Sequence, residues 1–296
     1  MFGTDDQQAR FLRPLVHGDV RSFFSMTEPD VSGSDPTLLR TRAVREGDEW
    51  VIDGHKWFSS GADGASFGIV FAITDPEAAP HQRGTMILVP VATPGVEVVR
   101  PIPVMGHAGR GWSTHCEVTY RGVRVPVADT LGGEGDAFSI AQKRLGPGRI
   151  HHVMRWLGQM QRAFELMCTY ANEREAFGGA LAEKQTVQNW VADSAAEIQA
   201  CRLLTMDAAR KIDEGSEARV EVSLLKFYAA RVLCDVIDRA IQVHGARGLT
   251  DETPLAAMSL MARGARIYDG PDEVHRMVVA RRILRAYRDG EGWAFS

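Results

Sequence analysis

The residues best able to do chemistry lie together near the C-terminal end: Arg266-Ile267-Tyr268-Asp269-Gly270-Pro271-Asp272-Glu273-Val274-His275-Arg276-Met277-Val278-Val279-Ala280. Pro271 is pre-set for a first helical position, and Asp272 and Glu273 follow in the turn where the helix dipole favours carboxylates. With Val274, Met277 and Val278 as an apolar stripe, the spacing predicts a helix starting here. Asp269 stands just before that start, beside a glycine that lets another molecule approach the backbone closely, so its carboxylate can project from a loop. The plainer alternative is that Asp269, Asp272 and Glu273 only cap the helix and complement its dipole. Upstream, Gly146-Pro147-Gly148-Arg149 reads as a break before a long helix, and its arginine either pairs with a phosphate or sits on the surface after a turn. His151 and His152 have no partner at metal or triad spacing and read as packing or supporting residues.

The elements that position these residues change character along the chain. Thr4 followed by Gln7 is a capping-box pattern, and Phe11, Leu12 and Leu15 share one face, so residues 4 to about 16 read as a short helix that needs something to pack on. From there to about residue 130 the texture is short alternating or β-branched runs at 50–52, 67–74, 85–91, 96–100 and 115–125. Turns are expected at Glu46-Gly47-Asp48 and Asp53-Gly54, which gives an antiparallel β domain. Trp57, Phe58 and Ser59 alternate on one such strand, where apolar packing is the default for the aromatics. Beyond the glycines at 132, 133 and 135 the period becomes helical. Val153, Leu157, Met160, Phe164, Met167 and Ala171 step by three and four, as do Val187, Val191, Ser194, Ile198, Cys201, Leu204 and Ala208. A third helix spans about 217–243, and with the helix after Pro271 these make a four-helix bundle. The fold class is α+β, a β domain followed by a helical one.

Composition narrows the functions. The 296 residues are enough for about two domains, and Lys+Arg 34 against Asp+Glu 38 gives a net charge of -4 with no basic block, which argues against a nucleic-acid partner. The N-terminal residues are acidic and lack an apolar core, and the apolar runs are too short to span a bilayer, so a cytoplasmic protein without a membrane span is expected. Cys116, Cys168, Cys201 and Cys234 are widely spaced and make no CxxC or Cys/His cluster. They read as buried free thiols, with no disulfide framework and no metal site.

The segment Phe24-Ser25-Met26-Thr27-Glu28-Pro29-Asp30-Val31-Ser32-Gly33-Ser34-Asp35 resembles the Thr-Glu-Pro…Gly-Ser-Asp signature of acyl-CoA dehydrogenases. Further matches follow in family order at Lys56-Trp57-Phe58-Ser59-Ser60-Gly61, Arg174-Glu175-Ala176-Phe177-Gly178 and Ile241-Gln242-Val243-His244-Gly245-Ala246-Arg247-Gly248, and the Asp269 stretch is the fifth. Within the family, the extra residue between Pro29 and Ser34, the run Arg144-Leu145-Gly146-Pro147-Gly148-Arg149-Ile150-His151-His152 and the Asp269 motif resemble the branch of family members 10 and 11. Most relatives carry glutamate where this chain has Asp269. Relatives also carry a full helical domain ahead of the matched region, of which residues 1–22 would be a remnant. A middle β-barrel-like domain at 23–131 and a helical bundle at 132–296 would follow.

The resemblance implies the family's reaction, α,β-dehydrogenation of an acyl-CoA thioester. Asp269 would take the proton, its affinity raised by burial in an apolar pocket, and FAD the hydride. It places Phe24, Met26, Thr27, Ser34, Trp57 and Ser59 along the flavin, and Arg174, Phe177, Gln242, Gly245 and Ala246 at the adenosine and diphosphate end. Pro271, Asp272 and Glu273 would complete the cofactor site. Ser32, Gly146, Arg149 and Gly270 would meet the substrate. It also implies a homodimer or homotetramer with cofactor sites shared across subunits, electron-transfer flavoprotein as acceptor, and a place in fatty acid β-oxidation. The alternatives are an acyl-CoA oxidase on the same scaffold and a non-catalytic FAD- or CoA-binding remnant.

Overall fold

A computed structural model describes residues 1–294 and divides the chain into two compact units, Met1–Lys143 and the residues from Arg144 onward. The first unit is built on one sheet. Its strands are β1 (Ser22–Ser25), β2 (Arg42–Glu46), β3 (Glu49–Ser60), β4 (Phe67–Ile73), β5 (Gly84–Pro90), β6 (Val96–Pro101), β7 (His115–Pro126) and β8 (Thr130–Leu131). They run in the order β6-β7-β3-β2-β4-β5-β8, with β1 added beside β4. The antiparallel, barrel-like expectation is corrected in two respects. β1 and β2 both pair with β4 in parallel, because the connections between them are long enough to return the chain to the same end of the sheet. The path also ends at β6 and β8 without closing.

β4 and β5 are buried along nearly their whole length because both of their faces are covered. Val70, Ile87 and Val89 pack with Trp50, Ile52, Val118 and Val123 in one cluster. Phe71, Ile73 and Met86 pack with Ala137, Ile140 and Ala141 in another. Each such fully buried aliphatic side chain contributes roughly 1.5–3 kcal/mol.

Asp53-Gly54 is no turn. Both residues lie inside β3, at a register shift between Ile52 and Gly54. Glycine is needed there because a Cβ at Gly54 would run into the Thr41 side chain. A second shift between Lys56 and Ser59, with Phe58 at φ 57, breaks the simple alternation expected of Trp57, Phe58 and Ser59.

The N-terminal helix α1 is a continuous run of Asp5–Gln7, a π-type turn Gln8–Leu12, and Arg13–His17. It starts with the expected Thr4/Gln7 capping box and ends at Gly18 (φ 82). It does not stand alone: Phe11 meets Phe67 at 4.9 Å between ring centroids, Gln7 Nε2 donates to the carbonyls of Ala128 and Thr130 at 2.8 Å each, and Arg10 pairs with Asp129 at 2.7 Å.

The helices are α2 (Ala137–Glu173), α3 (Gln185–Asp213), α4 (Arg219–His244), α5 (Leu255–Ala265) and α6 (Asp272–Arg288), with a two-residue hairpin β9 (Glu175–Ala176) and β10 (Gly179–Ala180) after α2. The expected break at Gly146-Pro147-Gly148 is overturned, because α2 continues through Pro147. Pro147 donates no hydrogen bond to the preceding turn. The helix is nevertheless held on both sides of it, by burial of Ala137, Ile140 and Ala141 before and of Val153, Trp156, Leu157 and Met160 after. Packing here overrides local propensity.

The predicted stripes of α2 and α3 form the core of the second unit together with Leu225, Leu233 and Ile237 of α4. α5 is an additional helix that the sequence reading omitted. α6 turns Asp272, His275 and Val279 inward, whereas Met277, expected in its apolar stripe, is 41% exposed. Of the cysteines, Cys116 and Cys201 are buried as expected but Cys168 and Cys234 only partly. Among the described residues no helix is long and apolar enough to cross a membrane.

Candidate functional site

In the first unit, the two motif segments that follow β1 and lie within β3 are joined backbone to backbone. The Trp57 amide donates to the Thr27 carbonyl at 2.8 Å, and the Thr27 hydroxyl returns a short hydrogen bond to the Trp57 carbonyl. A buried ion pair clamps the same junction. Lys56 Nζ, fully enclosed, donates to Glu28 Oε1 at 3.0 Å and to the Met26 carbonyl at 2.8 Å, while Glu28 accepts from the amides of Arg40 and Thr41 at 2.8 and 2.9 Å. Burial pulls the Lys56 ammonium down to about 8, with Glu28 opposing. Burial pushes the Glu28 carboxyl up, but Lys56 and the backbone donors outweigh it and hold it below its ordinary value. Both are therefore charged at neutral pH.

Around this clamp, Phe24, Met26, Thr27 and Trp57 are half-buried and Ser32 and Ser34 exposed. Ser59 is fully buried, its hydroxyl 3.0 Å from that of Ser25, which accepts from Tyr120 at 3.1 Å. The structural parts of Glu28 and Lys56 went unread in the sequence, although their place inside the matched motifs was the available signal.

In the second unit, Asp269 and Gly270 form a tight loop just ahead of α6, both with left-handed backbones (φ 53 and 99). Aspartate is among the few non-glycine residues that adopt this conformation readily. The Asp269 carbonyl accepts from Arg149 Nε of α2 at 2.9 Å and from His275 Nε2 of α6 at 3.2 Å. Lys226 of α4 ties the loop at both ends, donating to the carbonyls of Ala265 at 2.7 Å and Gly270 at 3.2 Å. The Asp269 carboxylate is one-fifth exposed and bonds to His152 Nε2 through Oδ2 at 2.9 Å.

The expectation that burial raises its proton affinity is corrected. Burial does push the carboxyl up, but the hydrogen bond from His152, with the charges of Arg144 and Arg149, outweighs it and holds Asp269 below its ordinary value. His275 is pulled down to about 4 by burial and by Arg149 and Lys226, so it is neutral near pH 7.

The acidic cluster thus separates. Asp272 is buried and paired through Oδ2 with Arg266 at 2.8 Å, its Oδ1 lacking a partner. Pro271 stands at the N-cap position of α6, one residue before the first helical position expected of it and with no side-chain capping bond, and Glu273 is exposed. Gly146 lies one turn before Arg149 on α2, with open space where a side chain would be. His152, read from the sequence as a packing or supporting residue, bonds the Asp269 carboxylate; Lys226, His275, Trp156 and Tyr268 were missed as parts of this cluster. The partners of Lys226 and Trp156 lie far off in sequence, whereas Tyr268 and His275 stand in the same stretch as Asp269.

At the other end of α2, about 37 Å along the axis from Arg149 at 1.5 Å per residue, Arg174, Gly245 and Ala246 line an open cleft of about 650 Å³. Tyr170 and His244 stack beside it at 4.3 Å and 17°. Phe177 is fully exposed at the tip of the β9–β10 hairpin, its φ of 52 and that of Gly178 (81) making the turn. Gln242 is exposed outside the cleft lining. Among the described residues no group of three or more His, Cys, Asp or Glu side chains is placed to hold a metal.

Comparison with known proteins accounts for this arrangement. The profile "Acyl-CoA dehydrogenase, middle domain" matches residues 23–123 and "Acyl-CoA dehydrogenase, C-terminal domain" matches residues 135–284. The chain is 52% identical to FadE2 of Mycobacterium tuberculosis over 96% of its own length and 70% of that protein. It is 43% identical to acyl-CoA dehydrogenase family member 11 of Rattus norvegicus over 96% of its own length, and it spans only 37% of that longer protein. The butyryl-CoA dehydrogenase structure from Megasphaera elsdenii superposes with a TM-score of 0.88 at 33% identity, over 96% of this chain and 73% of that one. With both family profiles in register over the sheet and the helical unit, and the five motifs at the junctions described above, the chain belongs to the acyl-CoA dehydrogenase family.

Proposed function

We propose that this chain catalyses α,β-dehydrogenation of an acyl-CoA thioester, with Asp269 as the base. The observation that carries this reading is the Asp269 loop. A carboxylate stands partly open to solvent while its backbone is held by Arg149, His275 and Lys226, so it is ionised and fixed in place before substrate arrives. Family membership points to FAD, and the residues present fit it. Arg174 has no carboxylate partner among the described residues, and its planar fork suits a diphosphate. The cleft beside it carries the Tyr170–His244 stack and the exposed Gly245 at φ 60, where an added side chain would find open space and a ligand can come close to the backbone. When bound, FAD supplies the hydride acceptor.

The chain's own residues do the rest. Asp269 Oδ1 takes the proton from the carbon next to the thioester carbonyl. The Thr27–Trp57 junction, held by Lys56 and Glu28, would supply backbone and aromatic surface to hold the flavin. Arg149 and Gly270 keep the loop in register with the thioester. An electron-transfer flavoprotein would be the electron acceptor. A homodimer or homotetramer belongs to the same proposal, with the cleft at the Arg174 end of α2 and the exposed Phe177 as the surfaces that a neighbouring subunit completes. A cytoplasmic setting is part of the same proposal, in keeping with the four cysteines being free thiols.

The test is a flavin spectrum of the purified protein, followed by anaerobic addition of short-, medium- and long-chain acyl-CoA thioesters. The expected result is bound FAD that bleaches with at least one of them. Failure to retain FAD when it is supplied would sink the proposal. Bound FAD that never bleaches would favour a non-catalytic binder, and stoichiometric peroxide under aerobic turnover an oxidase.

A further inference from the structure

Asp269 and His152 are 117 residues apart in sequence, yet their hydrogen bond is one link of a chain whose protons can be assigned. Arg155, one turn along α2, bonds His152 Nδ1. Guanidinium nitrogens only donate, so Nδ1 is the acceptor and carries no proton. In the neutral ring the proton must then sit on Nε2, which therefore donates to Asp269 Oδ2. Trp156 and Tyr268 hold the ring in plane, with centroids at 6.0 and 5.0 Å from it. The Trp156 indole in turn donates to the Tyr268 hydroxyl at 3.1 Å. Among the described residues nothing donates to Asp269 Oδ1.

We infer that His152 is the positioning residue of Asp269: locked by Arg155 as the Nε2–H tautomer, it occupies Oδ2 and leaves Oδ1 as the oxygen that accepts the proton. This rests on the reading of Asp269 as the base and gives that base a named partner. No proton needs to leave the pair for the step to balance. The C–H bond breaks, its proton joins Oδ1, and His152 keeps its own.

The balance of charge around the pair is set from several elements. Arg144, Arg149 and Arg155 face it from α2, Lys226 from α4, Tyr268 from the loop and His275 from α6, while Asp272 of α6 acts on Lys226. Removing the His152 donor leaves burial less opposed, so the carboxyl should bind its proton at higher pH. Glutamine presents an amide N–H close to where Nε2–H lies, so His152→Gln should restore the bond while His152→Ala does not.

Two readouts test this, one of them without cofactor. In the ligand-free chain, 15N shifts of the neutral His152 imidazole should place its proton on Nε2 and none on Nδ1. The Asp269 carboxyl 13C shift should titrate about one pH unit or more higher in His152→Ala than in wild type or His152→Gln. In the FAD-loaded chain, the acid limb of anaerobic flavin reduction should move up in parallel for His152→Ala and Arg155→Ala and stay in place for His152→Gln. A proton on Nδ1, or an Asp269 titration unchanged in His152→Ala, overturns the inference. Because the tautomer is read in the wild-type chain, a variant that fails to fold does not remove the test. If Asp269→Asn reduces flavin normally, the assignment of the base fails instead, and the two failures remain distinct.

Discussion

At the scale of single residues, the candidate site is a set of backbone and protonation constraints around one carboxylate. Gly270 combines a φ of 99 with His275 Nε2 only 2.8 Å from where a Cβ would stand. Gly270→Ala should therefore cost about 1–3 kcal/mol, read as a lower midpoint in chemical denaturation, and should disturb Asp269 with it. His275 has its proton affinity lowered to about 4 from an unfolded value of 6.5. Between those values the unfolded chain binds the proton and the folded chain does not, so stability should fall as pH drops from 6.5 to 4. The contribution is on the order of 3 kcal/mol. His275→Gln should flatten that part of the stability profile, and an unchanged profile would count against a buried neutral His275. Asp269 was legible as a residue outside a helix start beside a glycine. Its partners were not, because hydrogen bonds between α2 and the loop depend on tertiary approach that no local spacing encodes. The expectation of a raised carboxyl failed for the same reason: burial was foreseeable, the donor on α2 was not.

At the scale of elements, the junction between the Thr27 segment and β3 depends on the buried Lys56–Glu28 pair. Lys56→Met leaves the Glu28 carboxylate buried beside only amide donors and should cost about 3–5 kcal/mol. Adding Glu28→Gln should recover part of that loss in a double-mutant denaturation cycle, and strict additivity would mean that the pair does not clamp the junction. β-branched runs marked β3 to β7 in the sequence because a strand buried on a face must be apolar at every second position, or throughout when both faces are covered. The errors came where a residue served packing rather than its usual local role. Asp53-Gly54 looked like a turn, but Gly54 makes room for Thr41. Pro147 looked like a break, but burial on either side carries α2 through it. The parallel pairings of β1 and β2 with β4 were beyond a strand-by-strand reading, since pairing partners are chosen across the whole sheet.

At the scale of the whole molecule, the chain carries the two domain profiles of its family. Its second unit holds two groups of polar residues at opposite ends of α2, the Asp269 loop and the cleft at Arg174. If the cleft serves the diphosphate end of the cofactor, Arg174→Ala should weaken FAD retention by about tenfold or more while leaving the unfolding midpoint of the ligand-free chain unchanged. Equilibrium dialysis of the flavin measures the first, and unaltered retention would remove Arg174 from the site. The order of a short helix, a β unit and a helical unit was readable from the change in period along the sequence, whereas the start of α2 was not, because the helix passes through the Gly146-Pro147-Gly148 run that reads as a break. The open edge of the sheet was not, because closure depends on whether the terminal strands meet. The central claim, that Asp269 abstracts the proton, is tested most directly by Asp269→Asn in the FAD-loaded chain mixed anaerobically with an acyl-CoA that bleaches the wild type. The expected result is full FAD retention with flavin reduction slowed by at least about 10²-fold. Reduction at close to the wild-type rate would contradict it.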